Sequence, residues 1–236
     1  MNKIIILSTD TLHHRFFINR LLDEDIKFTK CMFETTSVTP PFPVGPLFEN
    51  SQEEFDQTNF FKNTRKNLDR IEIMEVENIN SDHSIQFLKS ERPDFGIVFG
   101  TRKLSKKIIA CFKDGAINVH RGISQDYRGL DSDLWAVYHK DFSNIGVTIH
   151  FVEERLDTGD IVAQDKLLLK RDMKIHQIRY YTTLIATELV LKALDSYLNE
   201  SLKPTPQKKG RYYSFMPLVL KRIVANKFNS YCKEKI

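Results

Sequence analysis

The sequence predicts an α/β fold, and three observations carry that prediction. The chain opens β-α-β: the apolar run Lys3–Leu7 is followed by Phe16, Phe17, Leu21 and Leu22 at helical spacing, then by the strand-like Lys27–Phe33. A second apolar run, Phe95-Gly-Ile-Val-Phe99, suits a strand buried on both faces and ends at Gly100. Seven of the nine glycines lie between residues 96 and 159. Glycine is favoured where the backbone turns sharply or approaches a ligand, so this crowding points to a site. Together these features describe a Rossmann-like, mostly parallel sheet flanked by helices, with a small C-terminal helix and strand appendage.

The elements follow in order. Asp10 or Thr11 is placed to cap the first helix. Residues 36–67 read as a proline-stiffened loop and then a short amphipathic helix. Its phenylalanines Phe48, Phe55, Phe60 and Phe61 suit packing on the body or a lid. Arg70–Val76 reads as a strand or loop. Ser81–Glu91 reads as a helix with Ile85 and Leu88 inward, ended by Pro93. After Phe95–Phe99 come a helix over Lys103–Phe112 and a strand over Ala116–His120. A short helix over Leu134–Tyr138 carries Trp135. Strands are expected over Val147–Val152 and Ile161–Leu169. Lys174–Glu200 reads as a long helix with an apolar stripe of Ile178, Tyr181, Leu184, Ile185, Leu189, Leu191 and Leu194, ending near Asn199. Pro206–Tyr213 reads as an ordered strand or hairpin. The two expected segments are residues 1–170 and an appended 171–236, packed as one domain.

Composition excludes several classes. The 236 residues are 41% hydrophobic and 28% charged, ordinary for a water-soluble globular protein. Apolar runs are too short for a membrane span, and the start lacks a secretory signal pattern. Cys31, Cys111 and Cys232 have no metal-ligand spacing and read as reduced thiols, so a cytoplasmic location is expected. No His/Cys/Asp/Glu set has metal-site spacing, so no metal is expected. No G-x-G-x-x-G follows the first strand, which argues against a nicotinamide enzyme. The net charge of +4 is mild, but bases crowd the stretch from Lys203 onward, Lys209 among them. That stretch reads as a solubilising, frayed end or as a contact for nucleic acid, phosphate groups or an acidic membrane surface.

The chemistry-bearing residues cluster between Ile117 and Ile161. Strand alternation puts Asn118 and His120 on one face. An amide can stabilise an oxyanion and an imidazole can move a proton, although both can also brace loops. Asp157, in Leu156-Asp-Thr-Gly-Asp-Ile161, is a turn residue or the carboxylate that orients His120. Arg128 is a loop brace or a phosphate grip. His150 reads as a core or surface histidine. His13-His14 can touch a ligand.

Four segments then stand together: Asn118-Val-His120, Tyr127-Arg128-Gly129, Gly146-Val-Thr-Ile-His150 and Leu156–Ile161. In this order and spacing they resemble the formyltransferase family that uses N10-formyltetrahydrofolate. The resemblance implies that Asn118, His120 and Asp157 are the catalytic triad. A free amine would attack the formyl carbon, Asn118 and protonated His120 would stabilise the oxyanion, and His120, with Asp157 and a water, would move protons to the leaving nitrogen. No metal is implied. The pterin would lie between the strand end at Phe99, Gly100 and Thr101 and the loop from Val152 to Asp157. Many members have Ser-Leu-Leu-Pro after the histidine; here the acceptor-side loop is Arg121-Gly-Ile-Ser-Gln125.

The implied acceptor is a nucleotide-linked amino-deoxy sugar, dTDP-linked above all, destined for surface polysaccharide such as O-antigen. His13, Arg121, Tyr127 and Arg128 are the expected substrate contacts, with Tyr212 stacking on the base or packing against the sheet. Methionyl-tRNA formyltransferases carry a further C-terminal barrel, which argues against a nucleic-acid partner. Glycinamide ribonucleotide would call for a glycine-rich phosphate loop. A non-catalytic folate- or nucleotide-binding relic is the remaining alternative. The long helix and aromatic C-terminal segment suit a homodimer.

Overall fold

The computed structural model describes residues 2–24, 26–62, 68–208 and 210–235. Its first half is β1 (Ile4–Ser8), α1 (Leu12–Leu22), β2 (Phe28–Glu34), α2 (Glu49–Phe60), β3 (Glu72–Val76), α3 (Asp82–Glu91), β4 (Phe95–Phe99), α4 (Lys106–Ile109) and β5 (Ala116–His120). Then come β6 (Tyr127–Gly129), α5 (Ser132–Tyr138), β7 (Gly146–Phe151), β8 (Ile161–Lys166), α6 (Ile178–Leu198), β9 (Arg211–Tyr213) and α7 (Leu218–Glu234).

The main sheet has the order β3-β2-β1-β4-β5-β7-β8. Its first five strands run parallel, and β7 and β8 are added antiparallel. Continuous apolar runs follow from burial on both faces. On β1, Ile4 and Ile6 enter a core with Phe17 of α1 and Leu189, Val190 and Leu194 of α6. Ile5 and Leu7 face the other way, toward Leu88 of α3 and Ile108 of α4. Each such side chain contributes about 1.5–3 kcal/mol of burial. A third core joins α5 and α7 beneath the small β6-β9 sheet.

Several expectations change in detail. Thr11 stands at the cap position of α1, but its hydroxyl bonds the rings of His13 and His14 instead. Asp10 pairs with Arg15. The helix expected over 103–112 contracts to α4, because the chain must turn at Asp114–Gly115 to enter β5. Of the expected apolar stripe, the buried face of α6 keeps Ile178, Leu189 and Leu194. It also carries Thr182, Thr183, Ala186, Thr187, Val190 and Ala193. Thr182, Thr183 and Thr187 return their hydroxyls to carbonyls one turn back, at 2.8, 2.7 and 2.8 Å, so small polar residues can be buried satisfied. Tyr181, Leu184, Ile185 and Leu191 are half-buried.

The proline-rich insertion packs down on the body. Phe60 is buried and stacks on Phe16 at 4.6 Å, and Arg179 of α6 grips Asp56 and Glu53 of α2. Residues 63–67 of that insertion lie outside the described residues. The frayed-end reading of the basic C-terminus is corrected. Residues 218–234 form α7, whose Val224, Phe228 and Cys232 are buried. Lys221 is itself buried against Glu49, and Lys227 donates to the Tyr138 carbonyl. Lys209 lies outside the described residues. Among the described residues, no helix is long and apolar enough to cross a membrane.

Candidate active site

A cleft of about 340 Å³ opens at the C-terminal ends of the parallel strands, where open α/β sheets bind ligands. Asn118, His120 and Asp157 all line it, and so do Phe99, Gly100, Thr101 and Val152. His13 and Arg121 line it as well. Tyr127, Arg128 and Tyr212 stand elsewhere. Tyr127 turns its hydroxyl to Asp141 at 3.0 Å and stacks on Tyr213. The buried Arg128 donates to the carbonyls of Ser124 and Lys208, at 3.3 and 2.8 Å. Tyr212 is 63% exposed on β9.

Alternation on β5 points Asn118 and His120 into the cleft together. Asp157 arrives from the β7-β8 connection with φ of 52°, a left-handed conformation that costs on the order of 1 kcal/mol in a non-glycine residue. Its Oδ2 accepts the Gly129 N–H at 2.8 Å and faces His120 Nδ1 at 3.5 Å. Its Oδ1 faces His150 Nε2 at 3.3 Å and the Asn118 amide nitrogen at 3.5 Å. Asn118 Nδ2 also lies 3.2 Å from His150 Nε2.

Carbonyl partners settle the tautomers. His120 Nε2 lies 2.8 Å from the Tyr127 carbonyl, and His150 Nδ1 lies 2.8 Å from the Phe151 carbonyl. A carbonyl only accepts, so each of these nitrogens carries hydrogen. The other nitrogen of each ring therefore faces Asp157. The triangle is attractive only when a proton sits on at least one of those facing nitrogens. Burial by itself pushes the Asp157 carboxyl up. The charge of His120, then the hydrogen bond and charge of His150 and the Gly129 N–H, outweigh it and hold the carboxyl at about 2.

The far wall is built from histidine and aromatic rings. His14 packs against Phe99 at 4.3 Å, and its Nδ1 lies 2.7 Å from the Thr9 hydroxyl. Burial first, and then the Arg121 charge, bring His14 down to about 3. Burial, then His14 and Arg121, lower His13 well below the usual imidazole range. Both rings are neutral near pH 7, and the cations that act on them are Arg121 and Arg179. Gly100 has φ of 84°, and a Cβ there would fall 2.2 Å from a carbon of His14. Gly122 lets the post-His120 loop close on the ring, since a Cβ would lie 2.7 Å from His120 Nε2.

His150 is the residue the sequence reading placed outside the site. Its signal is a register: β7 pairs antiparallel with β5, setting His150 opposite Asn118 and Thr148 opposite His120. No single strand shows that pairing.

The chain is 32% identical over 128 residues to a methionyl-tRNA formyltransferase of Finegoldia magna, a stretch that is 54% of this chain and 41% of the relative. It thus spans less than half of that relative's length. Its fold is similar to a 4-N formyltransferase from Francisella tularensis, with TM-score 0.62 at 20% identity, covering 90% of this chain and 76% of that one. It is also similar to the formyltransferase PseJ from Anoxybacillus kamchatkensis, solved with UDP-4,6-dideoxy-4-formamido-L-AltNAc and tetrahydrofolate. There the TM-score is 0.57 at 20% identity, covering 90% of this chain and 86% of that one. The family described as formyl transferase matches residues 48–194, more than half of the chain. That span holds Asn118, His120, His150 and Asp157, and with it the chain belongs to the formyl transferase family.

Proposed function

We propose that this protein transfers a formyl group from N10-formyltetrahydrofolate to the free amine of a nucleotide-linked amino sugar. The observation that carries the reading is the meeting of Asn118, His120 and Asp157 in one cleft at the strand ends, with 3.5 Å between His120 Nδ1 and Asp157 Oδ2.

The amine nitrogen attacks the formyl carbon, forming the new C–N bond and moving the carbonyl electron pair to oxygen. The Asn118 amide donates to that oxygen. His120 takes the proton the amine must lose and delivers it to N10 as the C–N10 bond breaks. Its Nδ1 serves this purpose, because Nε2 is committed to the Tyr127 carbonyl. Asp157 stabilises the imidazolium formed on the way. The products are the N-formyl amine and tetrahydrofolate, with protons balanced. Phe99, Gly100, Thr101 and Val152 bracket the pterin, and His13 and Arg121 border the acceptor.

A sugar acceptor is supported by the likeness in fold. The two solved formyltransferases each align with 90% of this chain, and one of them was solved with UDP-4,6-dideoxy-4-formamido-L-AltNAc. Arg121 supplies a cation suited to a pyrophosphate. A second reading, formylation of methionyl-tRNA, draws on the 32% identity to that relative. Mass spectrometry decides between them. The protein is incubated with N10-formyltetrahydrofolate and, separately, dTDP- and UDP-amino sugars and methionyl-tRNA. One formyl group gained on a sugar, and lost in His120→Ala, is the expected result. Gain on methionyl-tRNA alone would replace the sugar reading.

A further inference from the structure

Between α6 and β9 the chain crosses both loops that carry the site. Thr205 exchanges two backbone hydrogen bonds with Ile161, each 2.8 Å. Two residues on, Gln207 is half-buried and uses both ends of its amide. Its Oε1 accepts from the Ser124 hydroxyl at 2.8 Å, on the loop that follows His120. Its Nε2 donates to the Asp157 carbonyl at 3.2 Å and to the Gly159 carbonyl. Ser124 is further fixed, its N–H on the Thr148 hydroxyl at 3.1 Å and its carbonyl under Arg128. One side chain thus ties the His120 loop to the Asp157 turn.

We propose that Gln207 is a positioning residue for the transfer reaction. It holds the Asp157 backbone in its left-handed conformation, at the height where the carboxylate meets both His120 Nδ1 and the Gly129 N–H. The choice of glutamine follows from the partners. The Ser124 end needs an acceptor and the turn end needs a donor to two carbonyls, which only an amide of this length supplies. Glutamate would set an oxygen against those carbonyls, and asparagine would fall one methylene short. The proposal rests on the reading of Asp157 as part of the reacting centre.

The test compares Gln207→Ala and Gln207→Glu with the parent, and Gln207→Ala within an Asp157→Asn background. Misplacing a catalytic group by about 1 Å can cost about 100-fold, so kcat is expected to fall about 10- to 100-fold in both single variants, with each KM within about threefold. Because Gln207 acts through Asp157, Gln207→Ala should add less than about threefold loss in the Asp157→Asn background. NMR amide exchange supplies a readout free of turnover. The Gly129 N–H, held by the Asp157 carboxylate, should exchange at least about tenfold faster in both variants, while amides of β4 stay unchanged. Should Gln207→Ala fail to fold, Gln207→Glu carries the test, since it keeps the Ser124 bond. Parent-like kcat, a fully additive loss in the Asp157→Asn background, or unchanged Gly129 exchange would each overturn the proposal. If the parent formylates no amine, the functional reading fails, and Gly129 exchange still decides whether Gln207 positions the turn.

Discussion

Asp157→Asn is the sharpest single perturbation of the site, because it keeps the shape and removes the charge. The carboxyl is buried, with 5% of the residue exposed, and its pKa falls from 3.8 to about 2. At about 1.36 kcal/mol per unit, the surroundings favour the charged form by about 2 kcal/mol. His120 is the largest favourable contributor, acting against the cost of burial. If that stabilisation of the imidazolium is lost in the transition state, kcat falls by about 30-fold. Geometry makes this a lower figure. Asn must turn its NH₂ toward either the Gly129 N–H or the Asn118 amide, so a donor meets a donor in each orientation. The assay is single-turnover formyl transfer, with tetrahydrofolate release followed by absorbance. A kcat within threefold of the parent would refute the assignment of Asp157 as the charge partner of His120. The same depressed pKa links to stability. The contribution is fully present above the unfolded value near pH 4 and is lost as pH falls through about 2, so acid unfolding of Asp157→Asn should be flatter in that window.

Two further predictions concern stability. His14 titrates near 6.5 when unfolded and about 3 when folded, so the unfolded chain binds the extra proton between these values and stability falls as pH drops through that window. Through His14 about 2 kcal/mol should be lost by pH 5 relative to pH 7, read by urea unfolding, and His14→Gln should remove that share of the slope while the share of the likewise lowered His13 remains; an unchanged slope would count against a neutral buried His14. Arg179→Ala strands Asp56, whose side chain is fully buried and 2.6 Å from Arg179. Breaking a buried pair costs about 3–5 kcal/mol, and a loss under 1 kcal/mol by chemical denaturation would show that α2 is held by its phenylalanines alone.

The parts of this molecule that announce themselves in sequence are those whose environment is uniform along the chain. β1 and β4 are buried on both faces, so every residue reports the same thing. Asn118 and His120 are legible because a period of two needs no knowledge of a partner. His150 escapes because its role arises from pairing with a strand 32 residues away. Gln207 escapes for a similar reason, since nothing near it in sequence marks a side chain that reaches Asp157. The buried threonines of α6 look like a polar face until their hydroxyls are traced to their own backbone. In α7, Lys221 and Lys227 read as solvated charges, and only the fold supplies Glu49 and the Tyr138 carbonyl.

The antiparallel seam between β5 and β7 sets how this protein can tolerate insertions and deletions. The seam aligns Asn118 with His150 and His120 with Thr148, whatever the length of chain that joins the two strands. Insertions between α5 and β7 can therefore remodel the surface without moving the proton-handling residues. One residue added inside β7 does the reverse: it would swing His150 and Thr148 to the opposite face of the sheet in a single step. Divergence in length should thus accumulate outside these two strands, while the strands themselves change only by substitution.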